Sequence, residues 1–199
     1  MSKSHKSIPR RRPTWPEATV PVDGLVLGLD PGPTETGWCV LAVRPGEVPA
    51  VLEHGHDLND KVADMIRRGR RRFVLVAVEG VVAFGGRANG ALLRTAQAIG
   101  RFKEAGRGIA FQEMNRRAVM IHLTGIATGP GAKVSKADMQ ATVQQLLGLS
   151  APIRPQHAND ACCAGLVLWG HPRVQQVADA EAERQQQRKA RPRRRKSAA

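Results

Sequence analysis

Tyrosine is absent from the chain, and four phenylalanines with three tryptophans hold the aromatic share to 4%. A core of ordinary size must therefore be built from valine, leucine, isoleucine and alanine, which points to an aliphatic α/β interior and away from an aromatic-rich sandwich. Cysteine is also scarce. Cys39, Cys162 and Cys163 give neither an even disulfide framework nor a zinc-ligand spacing, so reduced packing thiols in a cytoplasmic protein are the simple expectation. No apolar run approaches the roughly 20 residues that cross a bilayer. The first residues run from basic groups into prolines, unlike a secretion signal. Acidic residues are few as well: 17 Asp and Glu stand against 31 Lys and Arg, for a formal net charge of +14. Such a surplus favours a polyanionic partner.

The surplus is concentrated at the ends. Residues 1–24 carry Ile8-Pro9-Arg10-Arg11-Arg12-Pro13, and residues 171–199 carry Arg191-Pro192-Arg193-Arg194-Arg195-Lys196. Neither stretch has the apolar surface to offset ordering entropy, so both read as disordered basic arms. They suit nucleic acid, and equally a solubilising or targeting role or a protein partner. Residues 25–170 remain as one domain, in keeping with a size prior of roughly 100–200 residues.

Within that domain, strand signals fall at Leu25–Leu29, Gly37–Val43 and Ala50–Gly55, followed by a helix near Leu58–Arg68. The almost wholly apolar Phe73–Glu79 has the pattern of a parallel strand covered on both faces. A helix over Asn89–Lys103 places Leu92, Thr95, Ile99 and Phe102 on one stripe. Gly108–Gln112 reads as a fifth strand and Asn115–Leu123 as a short helix. Beyond a glycine-rich loop, Ser135 and Asp138 have capping-box spacing for a helix to Leu147. The last helix runs from Gln156 to Trp169 and stops at Gly170. This order matches the ribonuclease H-like fold, an α/β arrangement with a five-stranded mixed sheet flanked by helices.

Four residues stand out against this framework. Asp30 and Glu79 each end an apolar strand, while His157 and Asp160 lie three apart on the final helix. Open α/β sheets bind ligands at the carboxyl ends of their strands, so parallel neighbouring strands would bring both acids to one edge, where the helix could close over them. Poorly hydrated carboxylates need a metal, a hydrogen-bond network or a cation to stay ionised. Each residue also has a plainer reading alone. Asp30 before Pro31-Gly32 suits a turn, His157 a helix start, and Asp160 a carboxylate favoured by the helix dipole. Asp138 fits its capping box, and His54, His56 and His122 fit strand ends or the surface.

The quoted segments together resemble the RuvC-type Holliday junction resolvases. Asp30-Pro31-Gly32 with Thr36-Gly37 is similar to that family's first-strand motif, and Glu79 sits where its second acid does. Thr95-Ala96-Gln97-Ala98-Ile99-Gly100 looks like its dimerisation segment. Lys136-Ala137-Asp138-Met139-Gln140 resembles the helix after its basic loop, and His157-Ala158-Asn159-Asp160-Ala161 its closing motif. The resemblance implies a bacterial or phage-encoded homodimer that nicks four-way DNA junctions symmetrically in recombination and repair. It implies Asp30, Glu79, His157 and Asp160 as catalytic and metal-binding residues, holding two Mg²⁺ (or Mn²⁺) ions for phosphodiester hydrolysis. DNA contacts are expected from Phe84, Arg87, Arg116, Arg117, Lys133 and Lys136.

Besides its long terminal arms, which are extra, the chain departs from the family at two points. Val82 stands where better-known members carry a junction-opening phenylalanine, leaving Phe84, two residues on, as the candidate wedge. Met120-Ile121-His122 replaces the region of a family basic residue, a role for which Arg116 and Arg117 are substitutes. Two other classes remain open: a catalytically inactive binder of branched nucleic acid, and an actin-like ATPase, whose phosphate loop also resembles Gly28–Gly37 but which needs two such domains.

Overall fold

The computed structural model describes residues 23–81, 89–125 and 134–170; Phe84, Arg87, Lys133 and most of both basic arms lie outside them. Five strands, β1 (Gly24–Pro31), β2 (Glu35–Val43), β3 (Ala50–Leu58), β4 (Phe73–Gly80) and β5 (Ala110–Asn115), form one sheet in the order β3-β2-β1-β4-β5. The first three are an antiparallel meander, and β4 and β5 join parallel to β1. Helices α1 (Asn59–Gly69), α2 (Gly90–Ala105), α3 (Arg116–Thr124), α4 (Lys136–Leu147) and α5 (Gln156–Trp169) flank it. This is the mixed sheet and element order that the sequence predicts.

All five strands run one to three residues off their predicted bounds, and two differ most. β3 continues three residues past Gly55, because β2 pairs with it as far as Glu35 opposite Leu58. β5 lies two to three residues later than Gly108–Gln112. Gly108 takes φ +91°, outside the strand region, whereas the charged Glu113 and its neighbour Met114 pair with Val78 and Glu79. An edge strand needs less apolar character than a central one, which is why hydropathy misplaced it.

Alternation along the strands divides the core. Leu27, Leu29, Val40, Val76 and Val78 face α1 and α2, where Ile66, Ile99 and Phe102 complete a buried cluster. Val26, Cys39, Leu41, Leu75 and Ala77 face α5, with α3 and α4 beyond it. By period two, Asp30 follows Val26 and Gly28 on the α5 side, and Glu79 follows Leu75 and Ala77. The stripe on α2 is thus occupied within the protomer. Dimerisation through this helix would suggest Leu92, Ile99 and Phe102 as a stripe shared between subunits, but Ile99 is only 6% exposed and Phe102 is fully buried within the protomer; Leu93 is the large exposed apolar residue of that helix.

From Ala158 onward α5 is buried all round, because its backbone sits directly on the sheet. At Gly28 an added Cβ would lie 2.1 Å from the carbonyl oxygen of Ala161, and at Gly37 it would lie 2.3 Å from that of His157. Neither neighbour is a side chain able to swing aside. Gly28→Ala is therefore expected to cost about 3 kcal/mol or more by overpacking, and to lower Tm by about 10 °C at ~2–4 °C per kcal/mol. Thermal unfolding followed by circular dichroism tests this; an unchanged Tm would mean that α5 can lift from the sheet without cost.

Beyond Asp30 the chain turns back under tight control. Asn59 Nδ2 donates to the Gly32 carbonyl at 3.2 Å, and buried Thr36 Oγ1 donates to Asn59 Oδ1 at 2.6 Å. Gly32 N–H closes the turn on the Glu35 carbonyl at 2.8 Å. Pro31, Gly32 and Thr36 thus fix the end of β1 and the start of β2, and Asp30 sits on a rigid support.

Candidate active site

Asp30 and Glu79 leave adjacent parallel strands at equivalent heights, one residue beyond the pair Leu29 and Val78. α5 crosses the same edge. His157 and Asp160, one turn apart, stand over the two acids, so all four predicted residues meet at one end of the sheet. One donor atom each from Asp30, His157 and Asp160 lie within 4.8 Å of one another. Glu79 stands outside that triad and is tied to it through Arg116.

Asp160 is 1% exposed. It is not held by the helix dipole in the first turn: its Oδ1 accepts from Gln156 Nε2 at 2.9 Å and its Oδ2 from Arg116 Nη1 at 3.2 Å. The same Arg116 nitrogen donates to Glu79 Oε1 at 3.1 Å. Arg116 reaches both acids because β5 carries it there. Asn115 pairs with Gly80 and caps α3 by accepting from the Ala118 N–H, leaving Arg116 as the first residue of that helix. Arg116, expected as a DNA contact, instead bridges two acids that lie 37 and 44 residues from it in the chain. Arg117 and Lys136 are exposed at the starts of α3 and α4.

The electrostatics are those of crowded anions. Burial holds the Asp30 carboxyl above the usual range, helped by the nearby Asp160 and opposed by the hydrogen bond to His157. Glu79 is raised from 4.5 to about 7, first by burial and then by repulsion from Asp30, with Arg116 opposing. Burial disfavours the Arg116 charge, but Glu79 and Asp160 outweigh it and raise its pKa. Glu79 Oε2 is buried and has no hydrogen-bond partner among the described residues. A buried carboxylate oxygen without a partner is costly, and a cation would satisfy it. Three carboxylates and one imidazole form a mostly hard donor set that fits Mg²⁺ or Mn²⁺.

A stability prediction follows from Glu79. Between pH 4.5 and about 7 the folded state holds a proton on Glu79 that the unfolded state has released. Stability therefore falls as pH rises through that window, and the full penalty remains above it. Glu79→Gln is expected to raise the stability of the metal-free protein at pH 8 by about 1–3 kcal/mol, and to have little effect near pH 4. Urea unfolding of both chains at the two pH values tests it, and equal midpoints at pH 8 would refute the strain assigned to this carboxylate.

His157 is 54% exposed on its side chain, and its Nδ1 lies 2.7 Å from Asp30 Oδ2; the tautomer with hydrogen on Nδ1 donates to that carboxylate. His56 does not behave as the plain surface residue expected of it, since its ring stacks on that of His157. His122 is buried on α3, with its pKa lowered by desolvation. Asp138 does form the predicted box: its Oδ2 accepts from Ser135 N–H, and Ser135 Oγ accepts from Asp138 N–H. A separate cleft of about 470 Å³ opens on the opposite face of the sheet, lined by Trp38, Met65 and Phe73 among others, and shares none of the four residues.

Sequence reasoning missed Gln156 and the bridging position of Arg116. The latter had a signal: a cation directly after the strand that neighbours β4.

Comparison with known proteins bears on this arrangement. No curated protein matches the chain. Among solved structures, Thermus thermophilus RuvC in complex with Holliday junction substrate is 22% identical, with TM-score 0.62 over 77% of this chain and 97% of that one. Thermus thermophilus RuvC by itself gives 22% identity and TM-score 0.55 over 81% and 96%. The yeast mitochondrial Holliday junction resolvase Ydc2 gives 10% and TM-score 0.50 over 81% and 84%. At these identities the likeness establishes the fold. The family model described as crossover junction endodeoxyribonuclease RuvC matches residues 26–167, from the first core strand to near the end of α5, and the chain accordingly belongs to that family.

Proposed function

We propose that this chain is a structure-specific DNA endonuclease that resolves four-way junctions by paired symmetric nicks, acting in recombination and repair. The observation that carries the reading is the convergence of Asp30, Glu79, His157 and Asp160 at one sheet edge, with a buried, unpartnered oxygen on Glu79. A site built only to stabilise the fold would not retain that oxygen.

In this reading the four residues hold divalent ions, Mg²⁺ or Mn²⁺, two per site. When bound, such ions activate water and stabilise the charge on the leaving 3′ oxygen. The rigid strand ends fix Asp30 and Glu79, while buried Asp160 is oriented by Gln156 and Arg116. His157, on the exposed first turn, borders the side from which a phosphate arrives. Arg117 and Lys136, with Arg87 and Lys133, supply phosphate contacts; Arg116 faces the acids and neutralises them between turnovers. Phe84 is the candidate wedge at the junction centre. The positive net charge suits a branched-DNA partner. Among the described residues no helix is long and apolar enough to cross a membrane.

Symmetric cutting calls for a homodimer, which sedimentation at micromolar concentration would detect. The decisive assay maps products from a synthetic four-way junction with and without Mg²⁺. The expected result is a pair of ligatable nicks at symmetry-related positions, dependent on the ion. Binding of the junction without any nick in Mg²⁺ or Mn²⁺ would instead identify an inactive branched-DNA binder.

A further inference from the structure

We propose that His56 is a positioning residue for His157, holding the imidazole plane by stacking so that a ring nitrogen stays aimed at the acid cluster. The inference rests on the reading of His157 as a metal donor and adds a residue which that reading does not contain.

The geometry has three parts. The two rings lie with centroids 5.1 Å apart and planes 15° from parallel, an offset stack. Glu35 Oε2 stands 3.8 Å from His56 Nδ1 and so flanks the stacking ring in turn. The third part explains why the rings meet at all. His56 is the cross-strand partner of Gly37, and register partners project to the same face of a sheet. Gly37 has no side chain there, and its missing Cβ would fall 2.3 Å from the His157 carbonyl oxygen and 2.5 Å from the His157 Cβ. The first turn of α5 thus occupies the gap at Gly37, and His56 forms the wall of that gap. Glu35, two residues before Gly37, is on the same face.

Position matters here because His157 is the exposed member of the set. A half-exposed side chain on a first helical turn has rotamers open to it, and choosing one costs entropy. Two contacts hold the ring in place: Asp30 on one edge through Nδ1, and His56 on one face. An ion that draws on Asp30 weakens the first contact, whereas the stack persists. Hydrogen-bonded partners that orient metal ligands typically contribute 10–100-fold in affinity, and a stack is expected at the lower end of that range.

The test uses the full chain and Mn²⁺ as probe, with binding measured by calorimetry and the His157 ring followed by NMR. His56→Ala is expected to weaken Mn²⁺ about tenfold. His56→Phe keeps a flat ring without a nitrogen and is expected to stay within about twofold of wild type, since a stack needs no nitrogen. In a His157→Ala background, His56→Ala is expected to add nothing, because it acts through a ring no longer present. Wild-type affinity in His56→Ala, equal losses in the Ala and Phe variants, or full additivity with His157→Ala would each overturn the proposal. If His157→Ala itself leaves Mn²⁺ affinity unchanged, the donor role of His157 fails. The stack is then judged by NMR: His157 ring resonances that keep their ring-current shift in His56→Phe but move towards averaged values in His56→Ala support it, and resonances unmoved in His56→Ala refute it.

Discussion

Asp160→Asn is expected to lower cleavage of a four-way junction by roughly 10³-fold or more, a loss of about 4 kcal/mol of transition-state stabilisation. Junction binding is expected to stay within about threefold, because affinity comes from Lys and Arg contacts to phosphates and not from the acid cluster. Asp160 is the most informative of the acids to change. It is almost fully buried, it contributes to the donor triad, and its Oδ1 and Oδ2 are each fixed by a different neighbour. Asparagine has the same shape, keeps one acceptor oxygen for Arg116 or Gln156, and lacks only the charge. Asp30→Asn and Glu79→Gln belong to the same series. Gel shift and nicking measured on one labelled junction separate the two quantities. Near-normal nicking by Asp160→Asn would remove this residue from the reacting centre, and an equal loss of binding and cleavage would mean that the cluster organises DNA docking instead.

Arg116→Gln carries the second large effect. A single guanidinium nitrogen serves Glu79 and Asp160 together, and without it two buried carboxylates face each other and Asp30 with no cation from the described residues beside them. Breaking a buried pair by removing one partner costs about 3–5 kcal/mol, but the Arg116 side chain is 39% exposed, so roughly 1–3 kcal/mol is the expected loss in metal-free protein. The loss is expected to shrink when a divalent ion is added, since the ion takes over the neutralisation, and the rise in Tm with Mn²⁺ should be larger in the variant than in wild type. Arg116 in this account holds the place of a cation while the site lacks one. Thermal scans of both chains over a Mn²⁺ series give the answer. Equal metal-dependent rises would show that arginine and ion do not share the same charge, and an undiminished Tm in the metal-free variant would show that the bridge contributes no stability.

Much of this site is legible in the chain before folding is considered, and the reason is local. A carboxylate that closes an apolar strand, as Glu79 closes Phe73–Val78, marks the sheet margin whatever its partners are. The turn chemistry of Pro31, Gly32 and Thr36 marks the end of β1 in the same way, and the Ser135 and Asp138 capping box needs only three residues of separation. Hydrophobic period was enough to place the strands and helices, because it is a property of consecutive residues, and the mixed sheet was expected from the likeness of their order to a known fold. Resemblance of ordered motifs added the grouping of the four donors, which no one segment contains.

Tertiary structure decided what depends on residues far apart in the chain. Arg116 reads as a surface cation until β5 pairs with β4 and sets it above Glu79, and His56 reads as a strand-end histidine until α5 descends into the gap at Gly37. The apolar stripe of α2 shows the converse. Its periodicity correctly predicts a helix with a buried face, but period alone does not say whether that face meets its own sheet or another subunit, and packing against α1 and the sheet claims Ile99 and Phe102 for the protomer. Sequence by itself determined which residues end strands, start helices and face a core, since those follow from local backbone preference and alternation. Which cation neutralises which acid, and which ring steadies which ligand, was decided only by folding, because strand register and helix descent bring together side chains that are 37 to 127 residues apart.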